Sequence, residues 1–221
     1  NLRKYSLKII KEPLIEISEN KTVRHNPLKL ASTIYSLVLG KIKLWNRGIK
    51  VYKYIFGPVP SRRLGVSLGV DLVMSKTCNL NCIYCECGST TKFYNRRDSY
   101  INIDRLIEEV KDILQNLTPD YITFSGSGEP TLNKDIGIII KKIRKIYSGK
   151  IAVITNSTLL NDSYVREALE EADLIIPSLD AISEDIFEKI NRPIEGLHAK
   201  NILDGMTKFL SETKKEVYLE I

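Results

Sequence analysis

From residue 66 onward the apolar positions alternate between two spacings. Near-continuous apolar runs stand at 66–73, 121–124, 151–154, 174–179 and 217–221. Between them, residues 103–117, 136–147, 163–171, 182–190 and 202–210 place apolar side chains three or four apart. In the first of these, Leu106, Val110, Ile113, Leu114 and Leu117 share one side. Short unbroken apolar runs predict strands buried on both faces, and the 3.6-residue period predicts helices that cover them. Asn161 or Asp162 is placed to cap the helix at 163. The alternation predicts an α/β fold: a parallel sheet of about five strands with right-handed helical crossovers. Such sheets carry their sites at the carboxyl ends of the strands.

The first 50 residues follow a different pattern. Residues 7–10 and 14–17 read as short strands. Asn26-Pro27 reads as a helix start, followed by Leu30, Ile34, Leu37, Val38 and Ile42 at helical spacing, with Gly48 as the stop. Gly57-Pro58-Val59-Pro60-Ser61 is a breaker cluster that marks a boundary. The expected organisation is a mostly helical basic lead-in over 1–53 and a core domain over 54–221 that the chain end cuts short.

Composition adds three constraints. At 221 residues and 43% hydrophobic, the chain can bury one sizeable core. No apolar run approaches the roughly 18 residues of a membrane span, and the start lacks a signal-peptide pattern, so a cytoplasmic location is expected. Residues 1–55 hold 12 Lys/Arg against 3 Asp/Glu, whereas the rest holds 21 against 24. A basic front end suits a nucleic-acid or acidic-protein partner or, more plainly, a solvated face.

All four cysteines lie between 78 and 87, which argues for one local metal or cluster site rather than a disulfide framework. Cys78, Cys82 and Cys85 have the spacing C-x3-C-x2-C. Thiolates suit zinc or iron–sulfur clusters. Three ligands in one short loop can hold three corners of a cubane and leave one iron open, whereas structural zinc wants four ligands. Cys87 is the fourth ligand that a zinc reading would need. Only Glu86 separates it from Cys85, which favours a packing residue or spare thiol.

The cysteine loop resembles the defining motif of the radical S-adenosylmethionine (SAM) superfamily. The resemblance implies a partial (βα)6-type barrel, a [4Fe–4S] cluster on Cys78, Cys82 and Cys85, and SAM on the open iron. It also implies reductive SAM cleavage to a 5′-deoxyadenosyl radical, fed by a reductant such as ferredoxin or flavodoxin. Tyr84 is then expected near the adenine. Gly126, Gly128, Glu129 and Pro130 resemble the family's Gly-Gly-Glu-Pro segment, which holds the SAM amino group; here Ser127 replaces the first of the paired glycines. Asn156, Ser178 and Asp180 are candidates for the SAM ribose and carboxylate. Asn156 reads equally as a polar turn residue, and Ser178 and Asp180 as caps of the helix expected at 182. The stretches from Phe56 to Gly65 and from Lys189 to Pro193 resemble a subgroup placed loosely with the wyosine tRNA-base synthase. In that setting Arg62, Arg63 and Arg192 are candidate contacts to an anionic substrate; RNA modification, peptide or protein modification and cofactor assembly all stay open, and the basic front end favours RNA. The competing class is a non-catalytic zinc or iron–sulfur module with a basic RNA-binding segment.

Overall fold

The computed structural model describes residues 51–221 other than Met74. The two short strands and the helix expected before residue 50, and the lead-in they form, lie outside the described residues.

The chain enters as an edge strand, β1 (Ile55–Ser61), which turns back antiparallel onto β2 (Gly65–Val70). The cysteine region follows, with two short strands, β3 (Thr77–Cys78) and β4 (Lys92–Phe93). Next come α1 (Ile103–Leu114), β5 (Tyr121–Phe124), a 3-10 turn (Pro130–Leu132), α2 (Ile136–Arg144) and β6 (Lys150–Thr155). The remainder is α3 (Ser163–Leu169), β7 (Leu174–Pro177), α4 (Glu184–Ile190), α5 (Ala199–Glu212) and β8 (Glu216–Val217). The main sheet has the order β1-β2-β5-β6-β7-β8, and every pairing after the first is parallel.

The five parallel strands are those the apolar runs predict, with shifted ends. The strand expected over 66–73 stops at Val70, and that over 174–179 stops at Pro177. The breaker cluster at 57–61 needs correction, because it lies inside β1. Proline is tolerated at a sheet edge and at a bulge, where its missing N–H is not required. Both conditions hold: among the described residues β1 pairs only with β2, and the register slips between Phe56 and Val59. Phe56 pairs with Gly69, where an added Cβ would sit 2.1 Å from the Phe56 ring, so a larger residue there would have to displace that ring.

Leu68, Val70, Ile122, Phe124, Ile151, Val153 and Ile175 are fully buried, and so are Leu106 and Val110 of α1 and Ile139, Ile140 and Ile143 of α2. Leu64, from the β1–β2 hairpin, packs with Ala152, Leu174 and Ile176, partly covered by Tyr121, Ile154 and Tyr218. A hydroxyl pair, Ser67 to Thr123 at 2.7 Å, joins β2 to β5. Asn102 caps α1 by accepting from Arg105 N, and Asp162 caps α3 by accepting from Tyr164 N. Glu109 of α1 is buried and accepts from the backbone N–H groups of Lys53 and Tyr54, which fixes the entry to β1.

Candidate functional site

The cysteine loop leaves the carboxyl end of β2 and is held from two sides. On one, Thr91 N and Lys92 N donate to Lys76 O, and Tyr94 N donates to Cys78 O, which lays β4 beside β3. On the other, Asn81 N donates to Asn191 O at 2.8 Å and Ile83 N to Ile190 O at 2.9 Å, while Leu80 bridges Pro193. The segment from Lys189 to Pro193 is therefore the platform of the loop. Cys78 is buried, Cys82 and Cys85 are half-buried, and Cys87 is exposed; all four are free thiols.

Cys78, Cys82 and Cys85 line one cleft of about 190 Å³. Cys87 does not; its Sγ donates to Gly126 O at 3.2 Å. Among the described residues, no three Cys, His, Asp or Glu side chains converge as one metal ion's shell requires. Three soft donors spread around a cleft fit a cluster whose metal corners are separated better than a single tetrahedral ion. Burial pushes the Cys78 thiol up to about 12, with the Glu129 carboxylate adding to it, and burial raises Cys82 as well. A bound cation would favour the thiolate form of both.

The glycine-rich segment lies directly against this loop. A Cβ on Gly128 would stand 1.8 Å from Thr77 O, and Glu129 N donates to the same carbonyl at 3.1 Å. Gly126 has φ 132, and Asp71 lies against its α-carbon. Asp71 Oδ2 accepts from Ser127 N at 3.0 Å and from Ser127 Oγ at 2.6 Å; that Oγ also lies 3.1 Å from Val73 O and 3.0 Å from Ser75 O. The residue that departs from the glycine pattern thus ties the segment to the approach of the cysteine loop. The Glu129 carboxylate is 2% exposed. Its Oε1 accepts from Thr131 N, Thr131 Oγ1 and Thr155 Oγ1, and its Oε2 from Asn156 N. Burial raises its carboxyl and these donors pull it back. Glu129 therefore joins the ends of β5 and β6, with three donors on Oε1 and one on Oε2.

Asn156 follows β6 and lines the cleft, with its Nδ2 donating to Asn79 Oδ1 at 2.9 Å. Ser178 follows β7 and lines it too. Tyr84 reaches across from the cysteine loop, and its hydroxyl donates to Asp180 Oδ2 at 2.5 Å. Burial, then the Asp180 carboxylate, raises the Tyr84 hydroxyl well above its ordinary range. Asp180 is thus held to Tyr84 rather than capping a helix at 182; α4 begins at Glu184, after Ser183.

The three arginines are not brought to the cleft wall. Arg62 and Arg63 lie on the β1–β2 hairpin, at the amino end of β2, and Arg63 pairs with Glu220 at 2.6 Å. Arg192 is exposed at φ 47, and its carbonyl accepts from Asn81 N at 3.1 Å. Its backbone supports the cysteine loop.

Two residues at the site escape the sequence reading. Lys76 lines the cleft and its Nζ donates to Cys85 Sγ. Asn191 is buried, and its Nδ2 donates to Cys82 Sγ at 3.3 Å and Asp180 Oδ2 at 2.6 Å. The only sequence signal for Asn191 is its place in the Lys189–Pro193 stretch.

The profile of the Radical SAM superfamily matches residues 72–220. A chain named GTPase Obg from Brachyspira hyodysenteriae is 43% identical over 170 residues, covering 76% of this chain and 25% of that one. A UPF0026 protein from Synechocystis is 40% identical over 170 residues, covering 75% of this chain and 63% of its own. This chain spans less than two thirds of either relative. The solved structure of native anSMEcpe with bound AdoMet aligns with a TM-score of 0.53 at 22% identity, over 69% of this chain and 42% of that one. That likeness is one of fold.

Proposed function

The chain belongs to the radical SAM superfamily, whose members use a [4Fe–4S] cluster and SAM, and from that premise we propose that Cys78, Cys82 and Cys85 hold the cluster. The observation that carries this reading is that these three thiols, and not Cys87, share one cleft with the glycine-rich segment and the ends of β6 and β7. When bound, the cluster would supply the one electron for reductive cleavage of SAM at its S–C5′ bond, to methionine and a 5′-deoxyadenosyl radical that would take hydrogen from the substrate.

The chain's own residues position the cofactor. The backbone around Gly126 and Gly128, with Glu129 Oε2, offers acceptors to the SAM amino group. Asn156 and Ser178 present polar groups to its carboxylate and ribose. Tyr84, fixed by Asp180, sets a ring beside the adenine. Arg62, Arg63 and Arg192 lie outside the lining of the cofactor cleft, and Arg63 is paired with Glu220, so their contact to an anionic substrate is proposed beyond that cleft. The basic first 55 residues support an RNA substrate, in line with the wyosine-subgroup resemblance. An external one-electron reductant is required.

Anaerobic reconstitution tests the assignment. Wild-type protein should bind about four irons, absorb in the charge-transfer region and form 5′-deoxyadenosine from SAM under reduction. Cys82→Ala should lose the cluster and the cleavage together. One zinc per chain, with SAM left intact, would favour the non-catalytic alternative and sink this reading.

A further inference from the structure

Each of the three cysteine sulfurs that line the cleft receives a side-chain N–H from a different part of the chain. Asn156 Nδ2, after β6, lies 3.5 Å from Cys78 Sγ. Asn191 Nδ2, at the end of α4, lies 3.3 Å from Cys82 Sγ. Lys76 Nζ, two residues before the first cysteine, donates to Cys85 Sγ. The backbone adds one more, Leu80 N to Cys78 Sγ at 3.4 Å.

These donors are held in place. The Asn156 carbonyl accepts from Thr158 N at 3.1 Å and Thr158 Oγ1 at 2.7 Å, which fixes the amide with its nitrogen towards Cys78. Asn191 is 2% exposed, and its nitrogen is shared between Cys82 and Asp180. Among the described residues its buried Oδ1 has no hydrogen-bond partner. A buried acceptor left unpaired is costly, so the amide is kept in this orientation by what its nitrogen bonds.

We propose that Lys76, Asn156 and Asn191 form a donor shell that raises the reduction potential of the cluster on Cys78, Cys82 and Cys85. The inference rests on the cluster assignment above. Thiolate ligands give the cluster negative charge, and accepting one electron from an external one-electron carrier adds another. N–H dipoles and an ammonium aimed at the sulfurs stabilise the reduced form more than the oxidised one. Lys76 has the largest effect because it brings a full charge, and the two asparagines contribute dipoles. All three are positioning residues: they act on the cluster through its ligands.

The test is a redox titration followed by EPR, on anaerobically reconstituted chain without SAM, for wild type, Lys76→Met, Lys76→Arg and Asn191→Leu. Each should keep about four irons per chain. The midpoint should move to more negative potential in Asn191→Leu and further in Lys76→Met, and Lys76→Arg should restore most of it. Lys76 is partly solvent-facing, so Lys76→Met tests the idea even where the buried Asn191→Leu does not fold. Full iron content with a wild-type midpoint in Lys76→Met would overturn the inference while leaving the cluster assignment standing. Wild-type protein that takes up no iron would overturn both.

Discussion

The outer wall of the sheet and its carboxyl edge are built by opposite means. The wall is apolar and redundant: Leu68, Ile122, Phe124, Ile151 and Val153 are fully buried beside one another, and none makes a directed side-chain bond. The edge is polar and singular. Gly128 meets Thr77 O, Ser127 holds Asp71, Glu129 gathers the ends of two strands, and Asn191 ties Cys82 to Asp180. Apolar burial is non-directional, so the wall sets how stable the fold is without setting any one distance. Hydrogen bonds and backbone contacts are directional, so the edge fixes distances while contributing less to stability.

The sharpest way to break this contrast is to damage the wall and look at the edge. Phe124→Ala should cost about 3–5 kcal/mol of stability, read by denaturant unfolding. At temperatures where it stays folded, its iron content and cluster EPR should match wild type; altered EPR would show that wall and edge are coupled. Gly128→Ala is the converse. Its Cβ must push the glycine-rich segment off Thr77 O, an overpacking cost of about 1–3 kcal/mol falling on the cofactor cleft. SAM cleavage should slow by about fivefold to a hundredfold, since about 1.4 kcal/mol is tenfold, with the cysteine cluster still present by iron assay.

Ser127→Ala removes the hydroxyl but keeps Asp71 and the backbone. A lost hydrogen bond to a charged partner is worth about 1.5–3 kcal/mol, part of it recovered by water at this half-exposed position. KM for SAM should rise about threefold to tenfold with kcat retained, and an unchanged KM would remove Ser127 from the positioning of the loop. Cys87→Ala is the smallest change. The exposed Cys87 thiol lies outside the cleft lining and donates to the Gly126 carbonyl at its rim. Iron stoichiometry and the rate of 5′-deoxyadenosine formation should equal wild type. Loss of the cluster in this variant would reassign the ligands.

The sequence alone determined the parallel sheet, its crossover helices and the local cysteine trio. Each depends on spacing within a few residues, and a run such as Leu174–Pro177 has one way to be buried on both faces. It misread 57–61 as a break, because proline's tolerance depends on having only one neighbouring strand, which is a property of the sheet. Only the tertiary structure decided that Asn191 reaches Cys82, which lies 109 residues earlier, and that the Glu129 carboxylate accepts from Thr155 and Asn156 at the end of β6. Tertiary structure also set Arg63 against Glu220, 157 residues away. Such pairings leave no periodicity in the chain: they arise where separate strands end together on one edge, and nothing local specifies which loop meets which.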